Sequence, residues 1–282
     1  MKKAEKFLLS TLRIYFNSIA LLDKKRAANQ LISIFSRPTK RVIRKKEKAI
    51  LKNAIRTDFP FDNKSIKLYK WGTGKKTALL IHGWESNAGS LGAFVEPLLD
   101  NNFSIIAFDA PAHGASDGKN ANLIYFKRAA NEVIKHFGKP DVLIGHSLGA
   151  NAIILTAFEE QMAFDKVVLI APLNRLMSVF EMYQGLLKIP SMLFNLFVAE
   201  FGKRSGYQFE DFYFHKLAKE SPIKKALILH DLDDQITSFN DSDEMASNWE
   251  IAKLEKINGT GHYSILWKNE VIEKAVHFIV NS

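Results

Sequence analysis

A serine stands between two glycines near the middle of the chain, in the stretch DVLIGHSLGANAIIL (residues 141–155). Residues that favour a strand precede it, and an apolar, helix-favouring stretch follows. Glycines two positions before and two positions after the serine permit a tight strand–turn–helix, because glycine has no Cβ to clash. Such a turn lifts the serine hydroxyl above the end of a sheet, where it can attack a carbonyl carbon. We therefore predict that Ser147 is a nucleophile, although G-x-S-x-G also arises by chance.

A nucleophilic serine needs donors for the oxyanion that its attack creates, and a second stretch supplies one. In LLIHGWES a strand ends at His82, and Gly83 lets the chain turn so that the Trp84 N–H can face the developing negative charge. The second donor is the N–H of Leu148, the residue after the serine. We expect His82 to order this loop and to take no direct part in the chemistry.

The acid and the base are expected in two later loops. In LILHDLDDQITSF, three acids follow a strand: Asp231, Asp233 and Asp234. Any one of them could hold the Nδ1–H of a catalytic imidazole and stabilise the cation that forms during proton transfer. In INGTGHYSILW, His262 follows two glycines in a loop before the last helix. The residues predict His262 as the general base and leave the acid open among the three.

The elements that must position these loops are short strands separated by helices. Seven strands are predicted from residue 64 onward: SIKLY, TALLIH, FSIIAF, DVLIGH, KVVLIA, KALILH and AKLEKI. Most are continuous apolar runs, which are typical of strands buried on both faces. Helices are predicted at 88–100, 121–137, 148–160, 240–249 and 268–280. This alternation predicts an α/β fold with a mostly parallel, doubly covered sheet.

A long interval interrupts the alternation between LIAPLN and KALILH. It contains about fifty residues without a clear strand pattern and is rich in Met and Phe. We predict two or three helices that form a cap inserted at about residues 174–223. A cap at this point of the chain would lie over the strand ends where ligands bind in α/β sheets.

Residues 1–57 form a basic region with 16 Lys and Arg residues against three acids, whereas the whole chain has 39 basic and 30 acidic residues. Apolar residues recur at helical spacing (Leu8, Leu12, Tyr15 and Ile19), which predicts a basic helical N-terminal extension. Its helices either dock on the acidic remainder of the chain with their charges in solvent, or bind an anionic membrane surface. Nucleic acid is a weak alternative, because residues 36–57 contain no aromatic side chain on which bases could stack.

Composition excludes several classes of protein. The chain has no cysteine, which excludes disulfides, a thiolate nucleophile and a cysteine zinc site. No apolar stretch approaches the roughly 20 residues of a transmembrane helix. Arg13 interrupts the apolar core that a signal peptide would need, so we expect a cytoplasmic protein, with a peripheral position on the inner membrane surface as the alternative. WGTGKKT lacks the spacing of a phosphate-binding loop and precedes its strand, so it is interpreted as a turn.

Taken in order, HGW, FDAPAHGASDG, GHSLGAN, HDLDDQI and GTGHYSIL resemble the successive motifs of the α/β-hydrolase superfamily. The resemblance runs from about residue 64 to the end, and the order of Ser147, acid and His262 is the family's. In the family, the acid falls three residues after a glycine whose place Asp231 takes here. The resemblance therefore implies Asp234, with Asp233 as the alternative. It also implies an architectural role for the FDAPAHGASDG loop, and so for His113.

These residues and the resemblance predict a serine hydrolase that cleaves a carboxylic ester or thioester of a small-molecule acyl substrate. The reaction would pass through an acyl-enzyme, without a metal or organic cofactor. One alternative is a lipase, thioesterase or acyltransferase at a membrane surface, and another is a non-catalytic small-molecule receptor on the same fold. The serine argues against dehalogenase and epoxide-hydrolase chemistry, because the members of the resembling family that perform those reactions carry aspartate at that position.

Overall fold

The computed structural model describes residues 3–281, with the side chains of residues 10–16 and 18–281. The strands in this part of the chain are β1 (Ile55–Phe61), β2 (Lys64–Trp71), β3 (Lys76–Ile81), β4 (Phe103–Phe108), β5 (Val142–His146), β6 (Lys166–Ile170), β7 (Ala226–Asp231) and β8 (Ala252–Ile257). They form one sheet in the order β1-β2-β4-β3-β5-β6-β7-β8. Strands β3 to β8 are parallel, and β1 and β2 pair antiparallel. The predicted mostly parallel sheet is confirmed.

All seven predicted strands are present, as β2 to β8. Every residue of β4, β5 and β7 is buried, which explains their continuous apolar sequences. Strand β1 was not predicted. It lies at the edge of the sheet with most of its residues exposed, and it contains Pro60, which an edge strand tolerates because one side of it needs no hydrogen-bond partner.

The helices of the described residues are α1 (Lys3–Leu22), α2 (Lys24–Phe35), α3 (Lys45–Lys52), α4 (Val95–Asp100), α5 (Leu123–Phe137), α6 (Leu148–Glu159), α7 (Leu176–Leu187), α8 (Ser191–Ser205), α9 (Phe214–Glu220), α10 (Phe239–Ser247), α11 (Gly261–Ser264) and α12 (Asn269–Asn281). Short 3₁₀ helices cover Ala88–Phe94, Phe209–Phe212 and Ile265–Trp267. Helix α6, which starts directly after Ser147, is buried from Leu148 to Ala157. A helix that is apolar on all sides belongs in the interior, so its packing fixes the direction in which the chain leaves the serine.

The chain divides into two compact units. The first unit consists of the residues up to Arg37 and of Arg175–Tyr213, and it contains α1, α2, α7 and α8. Its interior is aromatic: the ring centroid of Phe35 lies 5.2 Å from that of Phe180 and 5.4 Å from that of Phe197. The Arg13 guanidinium also joins α1 to α7 by donating to the Leu186 carbonyl at 2.7 and 3.1 Å.

The second unit consists of Pro38–Asn174 and the residues from Phe214 onward, and it contains the whole sheet. This division differs from the predicted boundaries at 57 and 64 and from the predicted insertion at about 174–223. Helix α3 and strand β1 belong with the sheet, because Glu47 is buried beside the 3₁₀ helix and β1 pairs with β2. Helix α9 also belongs with it, because Phe214 and Ala218 are buried where α9 packs on α6.

Across residues 3–281, every helix is either too short or too polar to cross a lipid bilayer.

Candidate active site

Ser147 lies at a sharp turn between β5 and α6 with φ 51° and ψ −122°, a backbone conformation that non-glycine residues rarely adopt. The two flanking glycines make the turn sterically feasible. A Cβ on Gly145 would lie 2.6 Å from the Ala150 Cα, and one on Gly149 would lie 2.2 Å from the Ile81 carbonyl oxygen. The local sequence therefore folds as a strained strand–turn–helix that presents the serine, as its spacing predicts.

The loop after β3 approaches this turn closely. A Cβ on Gly83 would lie 2.9 Å from His146 Nδ1 and 3.1 Å from the Ser147 Cβ, closer than side chains normally come, which favours glycine there. Within residues 3–281, the backbone N–H groups of Trp84 and Leu148 donate to no acceptor. Two N–H groups without acceptors, in the residues that follow Gly83 and Ser147, are suited to hold an oxyanion.

His82 fixes the conformation of this loop. Its Nε2 accepts from the Ala110 N–H at 2.9 Å, so the proton of the neutral ring is on Nδ1, which donates to the Gly83 carbonyl at 2.6 Å. Complete burial lowers the pKa of His82 to about 4, and the imidazole therefore stays neutral. The structure places His82 where it orders the loop.

The structure brings Asp234 and His262 together. The carboxylate Oδ2 of Asp234 accepts from His262 Nδ1 at 2.7 Å, and both side chains are buried. Its Oδ1 accepts from the N–H groups of Ile236 at 2.8 Å and Thr237 at 3.0 Å. Because Nδ1 donates to the carboxylate, the Nε2 of a neutral His262 ring is left free to accept a proton.

The Asp234 carboxylate is held in its charged form. Burial acts to raise its pKa, but the neighbouring His230 and the hydrogen bond from His262 outweigh burial and hold the pKa well below its ordinary value. An ionised carboxylate at this position would stabilise an imidazolium at His262.

His262 is also tied to the residue before the serine. The Nε2 of His146 donates to the His262 carbonyl at 2.9 Å, and the two ring centroids lie 4.7 Å apart. Burial, and then the neighbouring His262, lower the pKa of His146 well below its ordinary value, so His146 stays neutral. No hydrogen bond joins Ser147 Oγ to the His262 ring within the described part of the chain.

The other two acids of the predicted group have different surroundings. Asp231 is fully buried, and its Oδ2 accepts from the Thr260 N–H at 2.6 Å and the Thr260 hydroxyl at 2.5 Å. Its Oδ1 accepts from the Asp233 N–H at 2.8 Å. Asp231 therefore ties the loop that carries His262 to the end of β7, whereas the Asp233 side chain is exposed.

Two buried residues next to Asp234 were not predicted from the sequence. The Thr237 hydroxyl lies 3.1 Å from Asp234 Oδ2 and 3.3 Å from His262 Nδ1. His230 Nε2 donates to the Thr237 carbonyl at 3.1 Å and lies 3.5 Å from Asp234 Oδ2. The sequence does not mark Thr237 as a functional residue. It simply precedes Ser238, which caps α10.

His113 lies in a buried aromatic group. Its ring centroid is 4.9 Å from that of Trp84 and 5.0 Å from that of Phe126, and its Nδ1 donates to the Pro111 carbonyl at 2.9 Å. Burial lowers its pKa to about 3. Its contacts are those of a packing residue. Among the described residues, no group of three or more histidine and acidic side chains could hold a metal ion.

Residues 78–273 match the family described as the alpha/beta hydrolase family. The chain is 34% identical over 101 residues to the uncharacterized hydrolase YugF of Bacillus subtilis, an alignment that covers 34% of this chain and 37% of that protein. It is 31% identical over 110 residues to human monoglyceride lipase, covering 36% of each chain. The chain thus aligns with about a third of each relative's length. A solved esterase from Exiguobacterium antarcticum superposes with a TM-score of 0.62 at 19% identity, covering 80% of this chain and 99% of that one.

Proposed function

The chain belongs to the α/β-hydrolase family, and on that basis we propose that it is a serine hydrolase that cleaves a carboxylic ester or thioester through Ser147, His262 and Asp234. The observation that carries the proposal is the buried 2.7 Å hydrogen bond between Asp234 Oδ2 and His262 Nδ1, in the same site as the strained turn at Ser147. A carboxylate, an imidazole and a serine hydroxyl with these surroundings have the composition of a catalytic triad.

In the first half of the proposed reaction, Ser147 Oγ bonds to the acyl carbon while His262 Nε2 takes the hydroxyl proton. The electron pair of the carbonyl moves to its oxygen, and the N–H groups of Trp84 and Leu148 stabilise the oxyanion. When the carbonyl re-forms, the bond to the leaving alcohol or thiol breaks, and that group takes the proton from His262. The product is an acyl-enzyme ester on Ser147.

In the second half, water repeats the attack. His262 takes a proton from water, the resulting hydroxyl adds to the acyl carbon, and the same two N–H groups hold the second oxyanion. Collapse of this intermediate returns the proton to Ser147 Oγ and releases the acid. The fixed ionisation of Asp234 stabilises the imidazolium in both halves.

Replacement of the nucleophile tests the proposal. We expect Ser147→Ala to lower kcat for chromogenic esters by roughly 10⁴- to 10⁶-fold, because triad members act as a unit. Labelling by a fluorophosphonate should disappear, while the thermal unfolding midpoint stays close to that of the parent protein. Undiminished turnover by the variant would rule out the mechanism. A parent protein that binds esters without cleaving them would favour the small-molecule receptor instead.

A second candidate function is a lipase, thioesterase or acyltransferase that works at an anionic membrane surface. Three large apolar side chains of α1 favour it: Ile14 is 66% exposed, and Leu21 and Leu22 are each 87% exposed. Helix α2 begins next to them with three basic residues at 24–26. Apolar and basic side chains together suit the interface of an anionic lipid bilayer. This candidate puts the protein in the cytoplasm, at the inner face of the membrane.

Vesicle binding distinguishes the two candidates. The second predicts that the full chain co-sediments with phosphatidylglycerol-containing vesicles at low salt and that high salt releases it, because salt screens the attraction. A Leu21→Gln, Leu22→Gln variant should bind less, whereas kcat for short soluble esters should not change. Absence of binding at low salt would eliminate the membrane candidate and leave the soluble esterase.

A further inference from the structure

Residues 39–47, which we call the bracing segment, lie upstream of the part of the chain that resembles the family. They contact both ends of the turn that carries Trp84. At one end, the backbone N–H and the hydroxyl of Thr39 both donate to Glu85 Oε1, at 2.7 and 2.6 Å. Glu85 directly follows Trp84 and has φ 51°. A non-glycine residue keeps such a conformation only when its surroundings hold it, and Thr39 supplies part of that restraint.

At the other end of the turn, Glu47 holds Asn87. Glu47 is 1% exposed, and its Oε2 accepts from Asn87 Nδ2 at 3.0 Å. The Asn87 Oδ1 in turn accepts from the Gly89 N–H at 2.9 Å and caps the 3₁₀ helix that follows. A Cβ on Gly89 would lie 2.9 Å from the Glu47 Cβ, so the two backbones meet at a position that requires glycine. The buried carboxylate therefore fixes the point at which the turn becomes a helix.

A third contact anchors the bracing segment itself. The Arg41 guanidinium donates to the carbonyls of Ser116, at 3.1 Å, and Gly118. The Ser116 hydroxyl donates to the Asp109 carbonyl at 2.5 Å, and the Asp109 carboxylate accepts from the Ala88 N–H at 2.8 Å. The loop that receives Arg41 is thus bonded to the same 3₁₀ helix that Glu47 and Asn87 fix.

We propose that the bracing segment positions the oxyanion donor at Trp84. This inference rests on the function proposed above. The Trp84 N–H lies between Gly83, held by His82, and Glu85 and Asn87, held by the bracing segment. An oxyanion donor is effective only within a few tenths of an ångström of its place, and its loss costs two to three orders of magnitude in kcat. The segment therefore acts on the transition state through the loop and touches no substrate.

Matched variants of the full chain test the proposal. Thr39→Val, Glu47→Gln removes one donor to Glu85 and the charge that holds Asn87. Lys45→Gln, Lys48→Gln is the control, because both lysines are exposed, one within the segment and one directly after it. Rates are normalised to the number of sites that a fluorophosphonate titrates, so that unfolded protein does not count. We expect kcat per titrated site to fall about tenfold in the first variant, with KM within twofold, and not to change in the control.

A second readout separates positioning from general stability. A trifluoromethyl ketone adds to Ser147 and forms an oxyanion, so its affinity should fall in parallel with kcat/KM, whereas the affinity for the carboxylic acid product should not change. Thr39→Ser, which keeps the hydroxyl, should retain parental kcat, and Thr39→Val alone should lose two- to fourfold. If the double variant does not fold, the comparison of Thr39→Val with Thr39→Ser tests the proposal by itself.

Two results would overturn the inference: a kcat per titrated site equal to the parent's, or equal losses in ketone and product affinity. Failure of the inference differs from failure of the proposed function. If Ser147→Ala is inactive and the bracing variants are fully active, the triad stands and only the role of residues 39–47 is lost. If Ser147→Ala turns over substrate, both are lost.

Discussion

The two halves of the candidate site are held in different ways. In the acid–base half, Asp234 bonds to the N–H groups of Ile236 and Thr237, two and three residues away, and Asp231 bonds to Asp233 and to the His262 loop. In the oxyanion half, the turn at Trp84 depends on side chains about 40 residues upstream. One half is organised by bonds within and between the family's own loops, and the other by a segment outside the resemblance.

This difference bears on how each half responds to substitution. The carboxylates of the acid–base half bond directly to the His262 imidazole or to the loop that carries it, so a substitution there acts mainly on charge and tautomer. The oxyanion half is assembled from three separated stretches, so a substitution there acts mainly on position. The predictions below test the two halves separately, from the largest expected effect to the smallest.

The largest effect is expected from Asp234→Asn. The oxygen of the new side chain should keep the bonds from the N–H groups of Ile236 and Thr237, so its NH₂ group must face His262 Nδ1. That arrangement selects the wrong imidazole tautomer, and we expect kcat to fall by roughly 10⁴-fold. Asp233→Asn is the matched control, since its side chain is exposed, and it should change kcat by less than threefold. A larger loss from the control in ester assays would make Asp233 the acid.

The sheet could be predicted from the sequence because its buried strands leave continuous apolar runs, of which β5 is an example. Strand β1 could not, because an exposed edge strand with a proline has no such pattern. The sequence also did not reveal that the predicted N-terminal extension divides at Pro38 between two units, since a basic helical pattern does not show which surface a helix packs against.

The residues of the acid–base half could be selected because their spacing along the chain matches a family pattern. The side chains that hold the oxyanion half could not. Glu47 stands among lysines and arginines, where a single acid normally indicates a solvated helix face, yet it is buried against Asn87. Thr39 and Glu85 are 46 positions apart and carry no motif. Long-range pairs of this kind require the fold itself.

A smaller effect is expected at Asp231, which ties the His262 loop to β7. Asp231→Ala removes the acceptor for the N–H and the hydroxyl of Thr260 and for the N–H of Asp233. Hydrogen bonds to a buried charge are strong, so we expect the free energy of unfolding to fall by about 2–4 kcal/mol in urea denaturation. Thr260→Val keeps its N–H bond and should lose only about 1 kcal/mol. Equal losses in the two variants would show that the carboxylate adds nothing beyond the hydroxyl bond.

The smallest effect is a pH dependence that should originate in the oxyanion half. Burial lowers the pKa of His113 from 6.5 to about 3. Between these two pH values the unfolded chain therefore binds a proton at His113 that the folded chain does not bind. The stability that His113 contributes is complete above pH 6.5 and is lost as the pH falls, by about 2 kcal/mol between pH 7 and pH 5.

Urea denaturation at pH 7 and at pH 5 measures this loss in the free energy of unfolding. His113→Phe should reduce the loss by about 2 kcal/mol, whatever the effect of the substitution at pH 7. His277→Phe, at an exposed position, should not alter the loss. An unchanged loss in His113→Phe would mean that folded His113 takes up a proton between pH 7 and pH 5 as the unfolded chain does, and the neutral packing role assigned to it beside Trp84 would be wrong.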